Sequence, residues 1–107
     1  MRIFKLSDYT RGWIIGDFDP AIIKTKDFEV KVVTYPPGFI DKDHVHNMMD
    51  EISIIASGSC RVQDHVFSKG DIYWIERGEW VDFEALEECT LTVVKLPSVK
   101  GDKYYKT

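Results

Sequence analysis

Apolar residues fall along this chain in short runs, each soon broken by Gly, Pro or Asp. Arg2 to Leu6 reads as a first strand and Trp13 to Phe18 as a second, stopped by Asp19-Pro20. Phe28 to Tyr35 alternates apolar and polar before Pro36-Pro37-Gly38 ends it. Glu51 to Ser57, Ser59 to Gln63, Val66-Phe67, Ile72 to Ile75, Trp80 to Leu86 and Thr90 to Leu96 continue the pattern. Only Leu6 to Arg11 and Pro20 to Lys26 have room for a helical turn, and neither holds a helical period. The prediction is all-β: a single domain over residues 1–107, closed as a compact barrel or jelly roll.

One segment breaks the pattern with chemistry. In Asp41-Lys42-Asp43-His44-Val45-His46, the two imidazoles are one residue apart, so an extended strand turns both to one face. A four-residue hairpin loop, Asn47 to Asp50, then pairs His46 with Glu51 and His44 with Ser53. His44, His46 and Glu51 would thereby meet in one small volume. Two neutral imidazoles and a carboxylate make a facial ligand set for a divalent transition metal: Fe, Mn, Zn or Ni.

The formal charge of −4 is spread without a basic face, which argues against a nucleic-acid partner. The most basic segment, Lys95 to Lys103, contains an acid as well. No apolar run is long enough to cross a bilayer and the first residues do not resemble a signal peptide, so no membrane partner and a cytoplasmic location are expected. Cys60 and Cys89 form no Cys-x-x-Cys pair and read as small buried hydrophobes. His65, beside Asp64, reads as an exposed turn residue. Tyr73, Trp74 and Trp80 read as barrel packing or dimer surface, and Met48 and Met49 as exposed residues of a hairpin tip.

Gly38, five residues, His44-x-His46, four residues, Glu51, six residues and Gly58 resemble the first signature motif of the cupins. Gly70, five residues, Glu76 and then Gly78 resemble part of their second motif, with Glu76 where that family usually has Pro. Three residues after Gly78, where cupins usually carry another ligand His, this chain has Val81; Asp82 and Glu79 are the candidate replacements. The chain is also similar to small single-domain cupins found beside nucleotide-sugar and polysaccharide genes. The resemblance implies a small double-stranded β-helix, a metal on His44, His46 and Glu51, and a homodimer. It also implies a small-molecule ligand or substrate, such as a carbohydrate. Two other roles use the same pocket. One is a non-catalytic ligand-binding module; the other is a metal-free isomerase-like enzyme with the His pair as acid and base. Cupin-like ketoisomerases of nucleotide-deoxysugar pathways use such a pair, with Gln where this chain has Glu51.

Overall fold

In the computed structural model, which describes residues 1–106, eleven strands form two facing sheets. In chain order they are β1 Trp13–Gly16, β2 Ile23–Lys24, β3 Glu29–Tyr35, β4 Ile40–Val45, β5 Asp50–Ser57 and β6 Ser59–Val62. They continue with β7 His65–Ser68, β8 Ile72–Ile75, β9 Trp80–Ala85, β10 Cys89–Leu96 and β11 Tyr104–Tyr105. The larger sheet runs β2-β1-β3-β10-β5-β8 and the smaller β11-β4-β9-β6-β7. The all-β jelly-roll architecture expected from the apolar pattern is what forms.

Two local expectations are corrected. Arg2 to Leu6 is not a strand; the chain reaches β1 through two short 3-10 turns, Leu6–Asp8 and Thr10–Gly12. Apolar Ile3 and Phe4 lie outside the core, 82% and 48% exposed. Pro20 to Lys26 holds no helical turn; it carries the short strand β2, parallel to β1.

The strands alternate as a two-layer packing requires. In β10, Cys89, Leu91, Val93 and Lys95 face inward. In β9, Val81, Phe83 and Ala85 do so. Cys60 and Cys89 are fully buried free thiols within this core, in keeping with their reading as small hydrophobes. Burial pushes the Cys60 thiol up to about 12, which keeps it unreactive.

The interior is graded along its length. The register of β10 against β5 places Leu91 opposite Ile55, Val93 opposite Ser53, and Lys95 opposite Glu51. One end of the sandwich is therefore aliphatic and the other is charged.

The tight corner between β5 and β6 depends on Gly58, whose φ is +78°. A Cβ there would lie 1.9 Å from the Glu88 carbonyl oxygen. Gly58→Ala adds that clash to a left-handed backbone strain of roughly 1–3 kcal/mol. It should lower the unfolding free energy by about 3 kcal/mol or more, read from urea titration.

Candidate functional site

The charged end of the sandwich is built from both sheets. His44 lies in β4 and His46 just beyond it, at 6% and 3% exposure. Opposite them, Glu51 of β5 and Lys95 of β10 enter from the larger sheet. All four line one deep cavity of about 50 Å³.

The two imidazoles and the carboxylate reach this cavity by a route the hairpin argument did not foresee. β4 and β5 are not paired; they belong to opposite sheets, and Asn47 to Met49 cross between them. His44 pairs with Val81 of β9, and Glu51 with Lys95 and Ile75. The crossing is held by Asp102. Its carboxylate, in a residue only 2% exposed, accepts hydrogen bonds from the backbone N–H groups of Asn47, Met48 and Met49 at 3.0, 2.9 and 2.9 Å. Met49 is thereby buried at 4% exposure, against the expectation of an exposed tip, while Met48 stays exposed.

Lys95 dominates the geometry. Its Nζ is 3.2 Å from His46 Nε2 and 4.0 Å from Glu51 Oε1. An ammonium has no lone pair, so it donates and His46 Nε2 accepts, which puts the imidazole proton on Nδ1. Burial and the adjacent Lys95 push His46 down to about 4, leaving a neutral ring at pH 7. Burial also holds Lys95 below the usual lysine range, against the attraction of Glu51. Glu51 Oε2 accepts from the Ser53 hydroxyl at 2.9 Å. His44 Nδ1 lies 2.7 Å from the Lys42 carbonyl oxygen, which can only accept, so Nδ1 carries the proton.

A second ammonium shares the cavity. Lys31 donates to the Tyr35 hydroxyl at 3.1 Å, and burial lowers it too. The Lys31 and Lys95 Nζ atoms lie 4.9 and 5.2 Å from the Trp13 ring centroid, both within cation–π range. Lys103 pairs with Asp41, which also accepts from the Tyr105 hydroxyl at 3.0 Å.

The expected metal set is therefore gathered round one cavity but not arranged as a ligand cluster. Among the described residues, no three His, Cys, Asp or Glu side chains are placed to hold an ion together. Lys95 adds to this, with its positive charge set against both His46 and Glu51. Every fully enclosed side-chain nitrogen and oxygen among the described residues has a hydrogen-bond partner, whereas His44 Nε2 makes no hydrogen bond among them. With Lys95 in this rotamer the residues present do not fit a divalent metal.

Nor is there a fourth ligand among the described residues. Val81 is buried opposite His44. The Asp82 carboxylate grips the Arg61 guanidinium at 3.1 and 3.2 Å, and Glu79 is exposed in the preceding turn. His65 is exposed, as expected, although it opens β7 rather than the turn. Tyr73 is half-buried beside Phe67, their ring centroids 5.0 Å apart, whereas Trp74 and Trp80 face outward.

Sequence reasoning missed Lys95, Lys31 and Trp13. For Lys95 a signal existed: it continues the inward phase of Leu91 and Val93, where a lysine is out of place in a purely apolar core.

A wider cavity of about 360 Å³ adjoins the deep one, and His46, Lys95 and Lys103 line both. Trp13, Phe18 and Met49 give its apolar walls. A chamber of this size, with charged side chains converging beside an aromatic wall, has room for a small polar molecule.

No protein-family model matches the sequence, and no curated protein matches it. Solved structures do match the fold. An uncharacterised conserved protein with a double-stranded β-helix domain from Klebsiella pneumoniae is 20% identical, with a TM-score of 0.72 over 100% of this chain and 98% of that one. KdgF from Halomonas sp. is 20% identical, with a TM-score of 0.65 over 71% and 74%. A sugar phosphate isomerase of the cupin superfamily from Silicibacter pomeroyi is 22% identical, with a TM-score of 0.63 over 75% of this chain and 57% of that one. With two facing sheets and these neighbours, the chain has the cupin fold, a small double-stranded β-helix.

Proposed function

We propose that this protein takes a small polar molecule, a carbohydrate or sugar derivative, into the barrel and engages one of its oxygens with Lys95 and His46. The observation that carries this is the Lys95 Nζ, 3.2 Å from His46 Nε2 where the inner and outer cavities meet. The Lys95 ammonium keeps further N–H groups to donate to a carbonyl or hydroxyl oxygen, and as a ligand draws it off His46 Nε2 the neutral ring becomes free to accept a proton from the same molecule. That is a metal-free acid–base pair, which suits either tight binding or proton transfer next to a carbonyl. The sugar phosphate isomerase among the fold neighbours is consistent with a carbohydrate.

The test is thermal-shift screening of the purified protein against sugars and sugar acids, followed by turnover assays on the hits. Stabilisation is expected in the wild type and should vanish in Lys95→Met and His46→Gln. A ligand response indifferent to both substitutions overturns the proposal.

A second reading places a divalent metal on His44, His46 and Glu51. It is favoured by the three side chains lining one cavity, and it requires Lys95 to swing away or lose its proton. A bound ion would supply Lewis-acid polarisation of a ligand oxygen. Stoichiometric metal in wild-type protein purified without added ions decides for this reading. The proposal extends to a homodimer, formed through the outer face of the larger sheet, where Ile72 and Trp74 of its edge strand β8 stand 62% and 60% exposed.

A further inference from the structure

The outer cavity has a charge pattern that neither proposed reading uses. The chain as a whole is acidic, at −4, yet Arg11, Lys95, Lys100 and Lys103 all line this one chamber. Three acids line it as well, and each is already committed. Asp19 pairs with Lys24 at 2.8 Å. Glu29 accepts from the Ser98 hydroxyl at 2.8 Å, and burial raises its pKa against the pull of Lys95. Asp102 spends its carboxylate on three backbone N–H groups. Lys103 is paired with Asp41, and Lys95 with the inner site. Arg11 and Lys100 have no ion pair or side-chain hydrogen bond among the described residues. The mouth thus keeps two positive charges outside any ion pair beside the Trp13 wall, with Asp19 as the carboxylate that Lys100 feels across it.

The backbone at Arg11 points the same way. Its φ and ψ are 49° and 32°, a left-handed conformation that a non-glycine residue rarely adopts. The next residue, Gly12, is pressed so closely against β3 that a Cβ there would lie 2.0 Å from the Val32 carbonyl oxygen. The turn is held by its packing, and it carries Arg11 to the chamber wall.

We propose that the mouth is an anion subsite: the pocket's ligand carries a carboxylate or phosphate that Arg11 and Lys100 bind, while its polar body reaches Lys95 and His46. This rests on the small-molecule reading above and adds the ligand's charge. Arg offers a planar fork that matches either oxyanion, and the apolar wall of Trp13 suits the face of a sugar ring.

The test measures binding of glucose, glucuronate, glucose 6-phosphate and inorganic phosphate by calorimetry, to wild type, Lys95→Met and the double variant Arg11→Gln/Lys100→Gln. Both mouth residues are exposed, so the double variant should keep the wild-type melting temperature. The charged sugars should bind wild type at least about tenfold more tightly than glucose. The double variant should lose that advantage while keeping its glucose affinity, and added salt should weaken only the charged probes. A preference for glucuronate or for glucose 6-phosphate identifies the oxyanion. Equal affinity for charged and neutral sugars, no binding of any charged probe, or an undiminished advantage in the double variant overturns the subsite. The pocket reading fails separately, on sugar binding that Lys95→Met leaves unchanged.

Discussion

Replacing Lys95 with Met should turn the barrel into a metal-binding protein. In the wild type an ammonium lies 3.2 Å from His46 Nε2 and 4.0 Å from Glu51 Oε1, and a divalent ion near those atoms would face it at short range. Two unit charges 4 Å apart repel by about 4 kcal/mol at the effective dielectric of a protein surface, and a divalent ion doubles that. Even a third of this repulsion corresponds to roughly a hundredfold in affinity. The Met side chain keeps the apolar stem of Lys and removes the charge. It also leaves Glu51, whose side chain is only 12% exposed, without its cation. Zn(II) or Co(II) should therefore bind the variant at least about a hundredfold more tightly than the wild type, seen by calorimetry and by Co(II) absorption. The variant's melting temperature should also rise with metal concentration. Equal metal affinity in the two proteins would show that Lys95 moves aside freely, and the second reading would then lead.

Replacing Asp102 with Ala should be among the most damaging single changes at the site. One buried carboxylate accepts three backbone N–H bonds from the crossing that connects His46 to Glu51. Such charge-assisted bonds are each worth about 1.5–3 kcal/mol, and alanine leaves all three donors without a partner. Allowing for water entry, a loss of about 3–5 kcal/mol is expected in urea unfolding. Asp102→Asn should cost less, about 1–3 kcal/mol. Its single oxygen can still serve Met48 and Met49, while its amide group turns an N–H toward the N–H of Asn47. Ligand binding at Lys95 should fall in both, because the crossing sets the position of His46. An alanine variant as stable as wild type would mean that water replaces the carboxylate fully.

The sequence made some of this site legible and hid the rest for physical reasons. His44 and His46 share a cavity with Glu51, and the one-residue spacing of the imidazoles was visible. The path was misjudged because a four-residue gap between strands fits a hairpin and a crossing between sheets equally well. What decides between them is Asp102, more than fifty residues further along the chain. The alternation of Thr90 to Leu96 showed the strand, and Lys95 stood in its inward phase, but a lysine near a strand end ordinarily reaches solvent. Only the register against β5, set by the whole sheet, brings it opposite Glu51. The segment from Lys95 to Lys103 looked like scattered charge. Folding bends it back so that Lys95, Lys100 and Lys103 surround one chamber. The strands with long apolar alternation were plain; β2 and β11, two residues each, leave no such pattern.

The tail carries a practical consequence. Asp102 anchors the crossing, Lys103 and Tyr105 hold Asp41, and β11 zips Tyr104 and Tyr105 onto β4 beside His44. Substitutions between Asp102 and Tyr105 would therefore loosen the wall of the chamber, whereas Met1 to Lys5 lie exposed and outside every strand. Fluorescent labels meant to leave the chamber undisturbed belong on that exposed segment.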